Sequence, residues 1–380
     1  RDNKGIQRGL TINEFSRKMQ DDLMLFPEIA SRKMLIGPLG GGVQLSYMNI
    51  APFLIRHALT SSPYEAIERL KAVFSMTSVN SSEFTLVSGY KLTEAIEFSK
   101  DIRILPENCL PPYAIQSPKI DIQGNPISQI NLTPFQESFF IEQKINVQKI
   151  IFENGEEYSH PSRAIHQKTQ NVIYSLTVAS DIGFYKYYSY TRFHNQDLNE
   201  LKFGQSYSLN KKEYIPPMMP KGGSVDIELA KEIFVLLENL NDDFYNEIET
   251  VIELLIKARN LQNQKQQALE LSIILEFLLQ GDKTGEIAHS VSTRTAWLIC
   301  QEIFGREEIY RTIKTLYDAR SKFVHGNRQK LKPKHEVAIR KSFELIRQLI
   351  LNFIHFGKSL DESELTKIEL GFPVNEILGE

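Results

Sequence analysis

From Val225 onward apolar residues recur at helical spacing: Ile227, Leu229, Ala230, Ile233, Phe234, Leu236, Leu237 and Leu240 open the series. The same period continues over 244–258, 264–280, 286–304, 307–325 and 336–356. Long helices joined by short connections predict an antiparallel bundle over 225–357, followed by a tail at 358–380. Residues 1–220 instead show short runs of β-branched and aromatic residues bordered by Gly, Pro, Asn or Ser. Strands are expected at 83–87, 127–132, 138–145, 172–178 and 184–190. One helix is expected at 63–76, where Ser61 or Ser62 can cap, Pro63 suits the first turn, and Ala66, Ile67, Leu70, Val73 and Phe74 keep the period. The boundary falls in Ile215-Pro-Pro-Met-Met-Pro-Lys-Gly-Gly-Ser224, which sustains neither regular structure. The fold class read from the pattern is α+β and multidomain, a β-rich domain followed by an all-α bundle.

Composition narrows the function classes. Of 380 residues 42% are hydrophobic and 24% charged, which excludes a disordered, collagen-like or histone-like chain. Net charge is −3, yet its distribution is uneven. Within 320–341, Arg320, Lys322, Arg328, Lys330, Lys332, Lys334, Arg340 and Lys341 face only Glu336, a local charge of +7. Such a concentration makes either an anion site or a solvated face. Cys109 and Cys300 are the only cysteines and lie far apart, so neither a disulfide framework nor a zinc site is expected. No run reaches the length of a membrane span, and the apolar stretch 345–356 is broken by Arg347, Gln348, Asn352 and His355. The chain opens on Arg1 without a signal-peptide pattern, the expectation for a trimmed cytoplasmic protein.

One segment concentrates the chemistry: Leu316-Tyr-Asp-Ala-Arg320-Ser-Lys-Phe-Val-His325-Gly-Asn327. Gly326 suits a helix C′ position, which places His325 in the last turn, where the negative end of the macrodipole favours imidazolium. Arg320, always cationic, opposes that shift. Five residues advance a helix by about 500°, so the two side chains point about 140° apart and do not converge from one regular helix. An ion pair for Arg320 and a simple capping place for His325 is the competing structural reading.

The segment 317–327 closely resembles the R-x4-6-H signature of HEPN-domain ribonucleases, in a flavour similar to the ApeA-like branch. Leu271-Ser-Ile-Ile-Leu-Glu276-Phe-Leu-Leu279 resembles that branch's glutamate-bearing helix, and Ser290-Val-Ser-Thr-Arg294-Thr-Ala-Trp-Leu298 its arginine-bearing helix. Phe84-Thr-Leu-Val and 101–111 look like the β-rich region that often precedes such bundles. The likeness covers 225–357 well and the first half loosely. It implies a HEPN-like bundle and metal-independent RNA cleavage, with no cofactor, at a site shared by two copies in a homodimer. In that picture His325 handles protons and Arg320 stabilises charge on the phosphate, while two helix ends related by a two-fold axis bring both pairs into one groove. The products would be a 2′,3′-cyclic phosphate and a 5′-hydroxyl. Similar proteins act in bacterial antiviral defence by abortive infection, as toxins of their own cell. The β-rich half would then dock a trigger such as a phage-derived protein.

Several residues gain a role from this picture. Ser321, Lys322, Asn327 and Arg328 become substrate-binding candidates, and the basic segment would make RNA binding salt dependent. Glu276 and Arg294 are expected to pair inside the bundle, Glu270 to be solvated and Tyr317 to pack. Asn327 stands where tyrosine-modified HEPN toxins carry their tyrosine, so that control is not expected. The alternative reading is a non-catalytic HEPN module for dimerisation and RNA or partner binding. Gly37-Pro-Leu-Gly-Gly-Gly42 lacks the Lys and Ser/Thr of a phosphate loop and is read as a turn or a bulge. The aromatic tract 184–194 is read as a covered strand rather than a base-stacking face. His57, His160, His166, His194, His289, His335 and His355 form no metal-ligand spacing.

Overall fold

A computed structural model describes residues 34–36, 42–44, 47–115, 137–147, 151–152, 162–201, 207–209, 224–281, 286–324 and 330–378. The chain divides into two compact units, Arg1–Thr169 with Lys186–Glu213 and Gln170–Tyr185 with Tyr214–Glu380. The class is α+β, a small sheet followed by many helices.

The first unit is built on a six-stranded sheet. Its strands are β3 (Val79–Ser88), β4 (Ile96–Ser99), β5 (Ile102–Leu105), β6 (Ser138–Val147), β8 (Tyr185–Phe193) and β9 (Tyr207–Leu209), in the order β4-β5-β6-β3-β8-β9. β1 (Met34–Ile36), β2 (Gly42–Gln44) and β7 (Ile151–Phe152) form a separate antiparallel ribbon with β1 in the middle. The central pair β3–β6 is antiparallel, with Thr85 opposite Ile141. Alternate residues of this pair serve different cores: Val79, Ile145 and Val147 join Phe53, Leu70 and Val73, whereas Phe84, Leu86 and Phe140 join Leu105 and Ala114. With both faces covered, nine of the ten residues of β3 are buried. Helices α1 (Tyr47–Thr60) and α2 (Pro63–Phe74) supply the first core, and Ser62 caps α2 by accepting from the Glu65 amide. The strand expected at 127–132 and the glycines at 37–41 lie outside the described residues.

The strand expected at 172–178 is corrected, because those residues end helix α4 (Ser162–Val178), whose last turns belong to the second unit. Val172, Ile173, Tyr174, Leu176 and Val178 are all at most 2% exposed. A helix buried on every side has no polar face to reveal its period, and β-branched residues tolerate it once packing decides. The first unit thus contains more helix than its single expected one: α1, α2, α3 (Pro112–Ile115), the first half of α4, and α5 (Gln196–Glu200).

The second unit continues with α6 (Ile227–Asn239), α7 (Asp242–Asn260), α8 (Gln264–Leu279), α9 (Ile287–Ile299), α10 (Ile303–Val324) and α11 (Pro333–Phe356). Asp226, Asn241 and Asn263 cap the first three, each accepting a backbone N–H of the first turn. α10 packs on α8, α9 and α11, burying Ile313, Leu316, Tyr317 and Ala319. The break between α9 and α10 falls at 300–302, several residues before the expected one. There Arg306 donates to the carbonyls of Cys300 and Gln301 at 2.8 and 2.5 Å and lies 3.4 Å from the Trp297 ring centroid. α11 ends at Gly357, whose φ of 65° is the left-handed terminator that glycine adopts without cost. Residues 358–380 include α12 (Glu362–Glu369) and α13 (Val374–Leu378), and α12 packs on α9. Among the described residues no helix is long and apolar enough to cross a membrane.

Candidate functional site

Arg320 sits on the last described turns of α10, one residue beyond the buried Ala319. Its guanidinium forms a two-pronged pair with Glu276 of α8: Nη1 donates to Oε1 and Nη2 to Oε2, the latter at 3.4 Å. The side chains are 28% and 17% exposed, so the pair is partly shielded but open on one side. Tyr317, one turn earlier, lies with its ring centroid 5.6 Å from the guanidinium carbon. Burial first, and then the Glu276 carboxylate, push the Tyr317 phenol well above its ordinary range. The trio forms a fixed cation with a neutral aromatic base to it. Its remaining N–H edge can receive an anion, because a guanidinium carries five donors and the carboxylate uses two.

Ser321 is exposed beside Arg320, whereas Lys322 is half-buried with Nζ 3.0 Å from Nε2 of His335. His335, on the first turn of α11, is 1% exposed and accepts the Lys332 backbone N–H at Nδ1. Burial, with the Lys322 and Lys334 ammonium groups, holds its imidazole below the ordinary range. Lys330 and Lys332 are exposed on the segment leading into α11, and Lys334 on its first turn. His325, which directly follows the last described residue of α10, lies outside the described residues, as do Asn327 and Arg328.

Two expectations are corrected here. Glu276 pairs with Arg320 and not with Arg294. Arg294 is fully buried and donates to the Leu279 and Gln280 carbonyls at 2.6 and 2.9 Å, to Glu369 at 2.9 Å and to Glu362 at 3.3 Å. It therefore ties the end of α8 to α12. Gly281 follows with φ 61°, and a Cβ there would run into the Glu362 carboxylate. Glu270 is likewise not solvated: it is 9% exposed and pairs with Lys257 at 2.7 Å. Tyr317 packs as expected.

The first unit gathers titratable groups that sequence spacing did not reveal. His57, Asp197 and Glu200 bring ligand-type atoms within 4.8 Å of one another. Two guanidiniums already answer the two carboxylates, Arg69 on Asp197 at 2.7 Å and Arg56 on Glu200 at 3.3 Å. Arg69 also reaches His57 Nδ1 at 3.2 Å, so the ring proton sits on Nε2 and is donated to Glu200 at 3.0 Å. A metal on Nε2 would need that proton moved to Nδ1, against the arginine, so the group suits a charge-balanced staple among α1, α2 and α5 better than a cation site. On the sheet, Ser82 lies 2.8 Å from His194 Nε2, a spacing found in nucleophile pairs. Ser82 is fully buried and gives its proton to Glu142 at 2.8 Å, so it is unreachable by a substrate. Tyr113 and Arg103 complete the same carboxylate at 3.0 and 2.5 Å. Arg192 of the aromatic tract is 2% exposed and 5.3 Å from the Tyr190 ring, the covered strand expected of that tract.

No family model, curated protein or solved structure matches this chain.

Proposed function

We propose that the protein is a metal-independent endoribonuclease of the HEPN type, active as a cytoplasmic homodimer in antiviral defence by abortive infection. The observation that carries the reading is the Glu276–Arg320 fork at the end of α10, immediately before His325, at the edge of the chain's basic segment. A guanidinium held on one edge by a carboxylate keeps its other edge oriented, as transition-state stabilisation of a phosphate requires. The RNA 2′-oxygen attacks its own phosphorus as the bond to the 5′-oxygen breaks. The 2′-proton passes to a His325 imidazole, and a His325 imidazolium returns a proton to the leaving oxygen, one histidine from each copy. Arg320 meets the charge that builds on the non-bridging oxygens. The first unit would receive the trigger.

The test incubates purified protein with RNA in EDTA beside Arg320→Ala and His325→Ala. Cleavage by the wild type alone, leaving 2′,3′-cyclic phosphate ends, is the expected result. Because a trigger can be required, growth arrest on expression, abolished by either substitution, is the companion measurement. RNA left intact in all three samples together with harmless expression overturns the reading. The same fork favours a second one, since a carboxylate that already answers Arg320 also suits a non-catalytic RNA- or partner-binding module. In that case Arg320→Ala weakens binding or stability while no sample cuts RNA.

A further inference from the structure

Between α10 and α11 runs an open groove of about 300 Å³. Arg311, Lys334 and Lys341 line it, with Thr312 and Thr315 beside them and Phe304 also in its wall. Phe304 is 86% exposed and Ile303 beside it 77%. Arg311 lies nine residues before Arg320, about 180° around the helix, so the groove opens on the flank opposite the fork. Lys322, two residues after Arg320, turns about 200° onto the groove's flank and meets His335 on the first turn of α11, where the N-cap Lys332 and Lys334 are exposed. Cations therefore continue around the end of α10 from Arg320 into the groove.

We propose that this groove is a second substrate subsite, which holds single-stranded RNA leading away from the scissile phosphate; it rests on the ribonuclease reading. Charge and chemistry favour that occupant. Glu307 and Glu308 also line the groove, but both are held in ion pairs, Arg311–Glu307 at 2.5 Å and Lys341–Glu308 at 2.6 Å. All four side chains are more than half exposed, and such solvated pairs exchange readily for a phosphate. The Thr312 and Thr315 hydroxyls donate to the Glu308 and Arg311 carbonyls, each at 2.8 Å. Their oxygens remain as acceptors for ribose 2′-hydroxyls, which DNA lacks. Phe304 offers a face on which any base can stack.

The experiment measures fluorescence anisotropy of a labelled oligouridine on the His325→Ala protein, which binds without cutting. Arg311→Glu with Lys341→Glu is expected to weaken binding at least tenfold and to lower the salt slope by about 1.4, two single-strand phosphate contacts. Phe304→Ala is expected to weaken it about fivefold or more with the slope unchanged. Oligodeoxyuridine should bind the parent protein more weakly. Lys231→Glu on α6 is the charge control, and thermal melts confirm that each variant folds. A change below twofold in both groove variants, while the parent binds RNA, overturns the subsite and leaves the ribonuclease reading standing. Unchanged RNA affinity with a shift in oligomeric state overturns it in favour of an interface between copies. A parent that binds no RNA, with a wild type that cuts none, overturns both.

Discussion

Replacing Arg294 with methionine tests how the helical unit is held together. The methionine keeps an apolar stem in the site and removes four hydrogen bonds at once. Two of them reach the Leu279 and Gln280 carbonyls at the end of α8, where no helical N–H is available to replace the lost donor. Charge-assisted bonds of this kind contribute about 1.5 kcal/mol or more each. The Glu362 and Glu369 carboxylates are 30% and 22% exposed, so water recovers part of their share and they add about 0.5 kcal/mol each. The expected loss is about 4 kcal/mol, in the range seen when one partner of a buried ionic site is deleted. The chain's only tryptophan, Trp297, lies on the same helix as Arg294 and reports on this unit during urea unfolding. Glu362→Gln and Glu369→Gln should each cost under about 1 kcal/mol by the same signal. A loss below about 1 kcal/mol for Arg294→Met would show that the guanidinium is not what closes the end of α8.

Glu276→Gln keeps the shape of the fork but weakens it by about 1.5–3 kcal/mol, so under the ribonuclease reading kcat should fall about tenfold to a hundredfold with KM little changed. Glu276→Asp should recover part of that loss, and an unchanged kcat would show that Glu276 serves stability alone. His335 adds a pH dependence. Its folded-state pKa lies below that of the unfolded chain, so the folded protein resists protonation and stability falls as pH drops below about 6.5. His335→Gln should flatten that slope, which is at most about 1.4 kcal/mol per pH unit for one proton; parallel pH–stability curves for the two proteins would contradict it.

The helical half was legible because its helices have one apolar side: the period from Ile227 to Leu240 becomes α6, and that of 307–325 the body of α10. Caps and stops were local as well, Ser62 before α2 and Pro63 in its first turn. The place of Arg320 near a helix end, five residues before His325, needed only counting. Segment 172–178 misled because burial on every side erases period, leaving composition to suggest a strand. Pairings were hidden altogether. Glu276 and Arg320 are 44 residues apart on two helices, and Arg294 finds its carboxylates 68 and 75 residues away. The groove joins residues of two helices that only packing sets side by side. Sequence alone decided where the amphipathic helices of the second half run and which side chains could carry chemistry, since period and capping act within a few residues. Which charge answers which, and whether a cation stands buried, braced or open to a phosphate, was decided by tertiary structure, because electrostatic partners are chosen by distance and dielectric in space.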